Sequence, residues 1–339
     1  MHHKWLSVDT QEKHITYDTN RIIKNTTDMF ITLNPKLKKK AVAAFVEDIF
    51  HAPQFDCDWN KYHNIYHTYE VVEMVAYILF TTRLKHGLSP FEKTVLLVAA
   101  ICHDFGHNGK TNNDWDDVSI QMQKLRIPSI CSNMSLSTTS LSESADREHS
   151  NHGKPSSVSE EGVFAKGLSE SLAQSKSYNE IMHLDMSVCI VFKHKHAILE
   201  NRSNAEIARM LSSLILATDL KTHNAIIQKF KAENIEHIVN LDKMKIVLKL
   251  ADISHILRPF RVHAHWVYNL IQEANNSTHA RRSFEDGVPT VSYMANDTIN
   301  FSEKFVGDLL NVMKSMCSEF SPALRANYQT NLDVWKSYL

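Results

Sequence analysis

With 339 residues, 37 Lys plus Arg against 38 Asp plus Glu and a net charge of -1, the chain can bury a sizeable core and has no cationic excess, so nucleic acid is not an expected partner. The 8 Gly and 8 Pro are too few turn residues for an all-β fold, and an all-α fold is expected. No apolar run reaches the roughly eighteen residues of a membrane span, no signal-peptide core follows Met1, and scattered cysteines without a CxxC pair suit a reducing compartment, so a cytoplasmic location is expected.

Residues 1–34 read as an N-terminal extension and 35–339 as one helical domain. Leu37, Val42, Phe45, Val46, Ile49 and Phe50 recur at helical spacing. Beyond Tyr62, a helix with an inward face at positions 67, 71, 75 and 78 sets His63 and His67 one turn apart. Pro90 opens a helix with positions 96, 100, 103, 104 and 107 along one side, so His103, Asp104 and His107 continue its buried stripe until Gly106 and Gly109 break it. A charged Asp104 on such a face calls for a metal ion or a charged partner. The acidic stretch Asp114 to Asp117 leads into a short helix expected to end before Pro128. Residues 131–177 are Ser-rich and poor in aromatics, and are expected to be a disordered, tolerated insertion. Helical patterns resume at Tyr178 and include 207–220, 241–257, 259–274 and 296–320; Asp252 ends an apolar helix and again needs a cation.

With twenty histidines, one pair at i, i+4 is expected by chance, but His63/His67 and His103/His107 both lie on inward faces of apolar helices. Tyr-His-Asn-x-x-His at 62–67, His-Asp-x-x-His-x-Gly at 103–109 with Asn112 following, Ala-Thr-Asp-x-x-x-His at 217–223 and Ala-Asp-Ile-Ser at 251–254 resemble the ordered signature of the class I cyclic nucleotide phosphodiesterases, HD-type metal phosphohydrolases. The resemblance implies a compact multi-helix bundle with a two-metal site in a central pocket. It implies hydrolysis of a 3′,5′-cyclic nucleotide, cyclic AMP or cyclic GMP, to the 5′-monophosphate by a metal-bridging hydroxide. His67, His103, Asp104 and Asp252 would hold the tighter ion, His107 would support the water shell of the second, and His63 would be the general acid. Zinc suits the first ion and magnesium or manganese the second.

The family orients its acid with a glutamate in a Leu-Glu-Asn-His-His run; the nearest counterpart here is Leu184-Asp185-Met186-Ser187, which assigns that role to Asp185. At the base, aligning Phe305 with the family's stacking phenylalanine puts Ser302 where a purine-reading glutamine belongs and Leu270 at the aliphatic clamp. His255 replaces the asparagine that usually follows Ala-Asp-x-Ser, and Tyr62 completes the expected substrate side. The expected partners are the cyclic nucleotide and, as candidate protein partner, a second copy of the chain. Two alternatives remain open: another HD-type phosphohydrolase such as a nucleotidase, and a catalytically weak nucleotide sensor.

Overall fold

In the computed structural model, which describes residues 18–53, 60–135, 167, 169–200, 202–275 and 288–339, the chain enters α1 (Thr19–Leu33) through Asp18. The Asp18 carboxylate accepts from the Arg21 amide at 2.9 Å, satisfying one of the donors a helix start leaves unbonded. α1 packs on α2 (Lys39–Phe50), and its Ile22, Met29 and Phe30 lie fully inside the main core. The expected boundary at residue 34 therefore falls between two packed helices, because the 3–4 spacing of Ile22, Thr26, Met29 and Leu33 already marks a buried face.

Asn64 caps α3 (Ile65–Thr81) by accepting from the amides of Tyr66 and His67, which fixes His67 in the first turn. After the short α4 (Leu84–Gly87), α5 (Pro90–Cys102) starts with proline at its first position and a reciprocal box between Ser89 and Glu92. α3 and α5 are apolar on nearly every side because they form the centre, and they pack against each other.

α6 (Asp117–Ser135) runs through Pro128 instead of stopping before it. An internal proline costs a helix about 3 kcal/mol and need not end it where the turns on either side are held. Most of the expected insertion, 136–166, lies outside the described residues. Its far edge belongs to the fold: residues 169–174 are helical, Leu172 is fully buried in the core, and Ser177 donates to Asp219 at 2.7 Å.

There follow α7 (Tyr178–Ile198), α8 (Asn204–Thr218), α9 (His223–Ala232), α10 (Asn240–Asp252), α11 (Phe260–Asn275), α12 (Val291–Phe301), α13 (Gly307–Met316) and α14 (Pro322–Lys336). α10 lies against α3, α8 and α13, so the ends of α3, α5 and α10 meet at one place. A 3-10 turn, Ser254–Leu257, links α10 to α11, and a wide π turn, Ser302–Val306, separates α12 from α13 in the stretch read as one helix. The fold is all-α, with no strand among the described residues and no helix among them long and apolar enough to cross a membrane.

Candidate active site

His67 in the first turn of α3, His103 and Asp104 at the end of α5, and Asp252 at the end of α10 bring one ligand atom each to within 4.8 Å of one another. Nε2 of His103 lies 3.0 Å from Asp104 Oδ2 and 3.4 Å from Asp252 Oδ1; Nε2 of His67 lies 3.2 and 3.4 Å from the same two oxygens. Local geometry fixes which nitrogen faces inward, because His103 Nδ1 donates to the Ala100 carbonyl at 2.8 Å and leaves Nε2 for the centre. Nε2 of His67, Nε2 of His103 and Oδ2 of Asp104 are buried without a hydrogen-bond partner in the protein. Buried polar atoms are rarely left so, and two imidazoles with two carboxylates around one point fit a divalent cation. Burial raises the cost of charge on both aspartates, yet the neighbouring histidines hold Asp104 and Asp252 well below the usual carboxylate range. The C-terminal ends of α5 and α10 add their own negative potential at the same spot.

A second cluster stands beside the first. The Glu273 carboxylate on α11 accepts from the backbone amides of Tyr62 (2.8 Å) and His63 (3.0 Å) and pairs with Nδ1 of His63. Burial alone would lower the His63 pKa, but Glu273 and then Asp104 outweigh it and raise it to about 9, while the same pair brings Glu273 down to about 2 against its own burial. His107 stacks on His63 with ring centroids 3.8 Å apart, and its Nδ1 accepts from the Gly109 amide at 3.1 Å. Burial and the adjacent His63 keep His107 neutral. The turn that carries it needs glycine: Gly106 and Gly109 have φ of 78° and 73°, and a Cβ on Gly106 would run into the Met186 thioether.

The residue holding His63 is thus Glu273 and not Asp185. Asp185 faces the other way along α7, 3.4 Å from the Arg126 guanidinium, and burial raises its pKa. The family's run is better met five residues earlier, where Glu180 and His183 keep the Glu-x-x-His spacing. His183 Nδ1 lies 3.7 Å from Asp104 Oδ1, and Glu180 accepts from Asn112 Nδ2 at 3.0 Å. Burial, with Asp219 nearby, pushes Glu180 up to about 7. Sequence reading missed Glu273, Glu180 and His183 and gave Asp219, quoted within the Ala-Thr-Asp run, no role; the available signal was the Glu-x-x-His spacing of Glu180 and His183.

Asp104, Asp252, His63, Glu273, His107, His183 and Glu180 border one cavity of about 270 Å³, lined also by Tyr62, His255, Leu270 and Phe301, with His67 and His103 behind its wall. Ser302 and Phe305 are not on it. Ser302 is fully buried with Oγ donating to the Thr298 carbonyl at 2.6 Å, and Phe305 meets the edge of His223 at 5.1 Å. Phe301, one turn earlier in the chain and just before the π turn, reaches the cavity with Leu270 instead.

Residues 62–116 and 168–327 match the sequence family described as 3′5′-cyclic nucleotide phosphodiesterase. The chain is 26% identical over 262 residues to the cGMP-specific 3′,5′-cGMP phosphodiesterase 3 of Dictyostelium discoideum, a match covering 73% of this chain and 46% of that protein. It is 22% identical over 309 residues to the mouse dual specificity calcium/calmodulin-dependent 3′,5′-cyclic nucleotide phosphodiesterase 1C, covering 87% of this chain and 36% of the relative. The chain thus spans less than half the length of these curated relatives. In fold it is similar to the phosphodiesterase domain of the RhoPDE fusion protein from the choanoflagellate Salpingoeca rosetta, with a TM-score of 0.68 at 18% identity over 98% of this chain and 95% of that one.

Proposed function

We propose a hydrolytic role for this chain, which belongs to the 3′,5′-cyclic nucleotide phosphodiesterase family: it opens a 3′,5′-cyclic nucleotide to the 5′-monophosphate. The observation that carries this reading is the cavity that the two aspartates of the four-residue cation group share with the His63–Glu273 pair. A nucleotidase that uses only the adjacent His-Asp and a distant Asp has no need of a histidine clamped in this way.

His67, His103, Asp104 and Asp252 would hold the tighter ion, for which zinc suits the donor set; a magnesium or manganese ion would use Asp104 and water beside His107, His183 and Glu180. When bound, such ions supply Lewis acidity and a nucleophile from water at neutral pH. The protein's own groups do the rest. Water adds to phosphorus as the P–O3′ bond breaks, and the departing O3′ takes the proton on Nε2 of His63. Glu273 makes this transfer effective in two ways: it fixes the ring through Nδ1, leaving Nε2 for the substrate, and it keeps the imidazole protonated at neutral pH. Leu270 and Phe301 would hold the base flat between them, with Tyr62 and His255 on the same wall.

Assay of the protein with cyclic AMP, cyclic GMP and non-cyclic phosphoesters, each with added zinc, magnesium or manganese, tests the reading. Metal-dependent release of 5′-monophosphate is expected. Turnover confined to phosphomonoesters would assign the chain to the nucleotidase class, and tight nucleotide binding without turnover to the sensors.

A further inference from the structure

His255 lines the cavity, and the neighbours of its ring decide what it presents. Trp335 Nε1, which can only donate, lies 2.8 Å from Nε2 of His263. That nitrogen must hold a lone pair, so the neutral His263 ring carries its hydrogen on Nδ1. Nδ1 of His263 lies 3.1 Å from Nδ1 of His255, where one ring donates and the other accepts. With His263 the donor, His255 accepts at Nδ1 and carries its own hydrogen on Nε2. Both rings are neutral, since burial holds His263 well below its usual pKa and His255 at about 3. Nε2 of His255 makes no hydrogen bond among the described residues, and His255 lines the cavity.

The same face of α14 also fixes the turn that carries His255. Asn331 Nδ2 donates to the carbonyls of Ile256 (2.7 Å) and Arg258 (2.8 Å), and Asn327 Nδ2 to that of Leu257 (3.0 Å). Asn327, Asn331 and Trp335 recur every four residues, so one stripe of the last helix holds both the backbone of the turn and the tautomer of its ring.

We propose that Trp335 and His263 form a relay that locks His255 as a hydrogen-bond donor, so that the cavity selects a purine with an acceptor at position 6, as in guanine, over one with an amino donor there, as in adenine. An amide or hydroxyl can rotate to suit either base; this imidazole cannot invert without leaving Trp335 or His263 unpaired. The base preference rests on the cyclic nucleotide reading above, whereas the relay does not.

Two measurements test it. In protein labelled with ¹⁵N-histidine, imidazole shifts should show His255 protonated on Nε2 alone and His263 on Nδ1 alone; the reverse pattern in either ring overturns the relay. In steady-state kinetics, cyclic GMP and cyclic IMP, which share the 6-oxo group, should both exceed cyclic AMP in kcat/KM by roughly two- to tenfold, the worth of one hydrogen bond, with the difference in KM. Equal values, or a preference for cyclic AMP, overturn the selectivity. Trp335→Phe, with His263→Phe as a second route should the first not fold, frees the tautomer and should draw the ratio towards one. A fall in kcat for all three nucleotides with the ratio preserved would make Trp335 merely structural and refute its part. Absence of turnover on every cyclic nucleotide would overturn the functional reading and the base preference with it, while the ¹⁵N shifts would still decide the relay.

Discussion

His63 is held at its backbone amide and its ring by a single carboxylate that lies 210 residues away in sequence. No local pattern reveals such a partner, which is why the nearest acidic residue of a half-matching run, Asp185, stood in for it. The four residues of the candidate cation group were legible because each is charged or polar on an apolar helix face. Two predictions separate these roles. His67→Ala and Asp252→Ala should each lose tight metal and activity together, whereas His63→Gln should cut kcat by about 10²- to 10⁴-fold and keep its metal; metal analysis of the purified variants decides this, and metal loss in His63→Gln would remove it from the acid role. The second concerns pH. Because the proposed acid role needs His63 protonated and Glu273 helps raise its pKa to about 9, activity should fall as pH rises through that region. In Glu273→Gln burial is no longer outweighed by that charge, so the alkaline limb of kcat/KM should move to lower pH; a limb that stays put would mean that another group supplies the proton.

At the level of elements, strong apolar periodicity marks the helices in the sequence, whereas departures from the regular helix leave no such mark. α3, α5 and α10 show their faces in sequence, and the glycine break after His103 is where the spacing places it. Pro128 gives a stop signal in the sequence although the helix continues through it, and the wide turn Ser302–Val306 has no residue signature of its own. The aromatic residue that lines the cavity is Phe301, one turn before the expected Phe305. Since stacking on an aromatic ring is worth about 1–3 kcal/mol per base, Phe301→Ala should raise KM for a cyclic nucleotide by roughly five- to a hundredfold. Phe305→Ala, on the His223 side, should leave KM within a few-fold. Parallel kinetics on the two variants settles the register: a larger KM effect at Phe305 would restore the α-helical count.

Across the whole molecule, the main core runs from α1 to the first turn of α14, with smaller clusters at α11 and α12, and α1 is packed into it although the expected boundary at residue 34 sets it apart. Beneath the site this core contains charge that belongs to no expected cation group. Arg258, 1% exposed, lies between Glu70 (3.5 Å) and Glu73 (3.7 Å) of α3, and Glu70 also accepts from Trp266 Nε1 at 3.0 Å, tying α3 to α11 below the cavity. One guanidinium cannot compensate two buried carboxylates fully. Burial chiefly, against the pull of Arg258, raises Glu73 to about 7, and Tyr69 donates to it at 3.1 Å. The consequence for stability has a definite sign. The folded protein holds this proton up to about pH 7, while the unfolded chain releases it near the ordinary glutamate value, so between those values the native state binds more protons. Stability from this group is therefore complete in acid and is lost as pH rises through neutrality, by an amount on the order of 2–3 kcal/mol. Glu73→Gln keeps the shape and a hydrogen-bonding oxygen for Tyr69 without the charge. Urea unfolding at pH 5.5 and pH 8 should find the variant's gain on the parent larger at the higher pH; an equal difference at both values would mean that Glu73 stays ionised throughout, paired with Arg258.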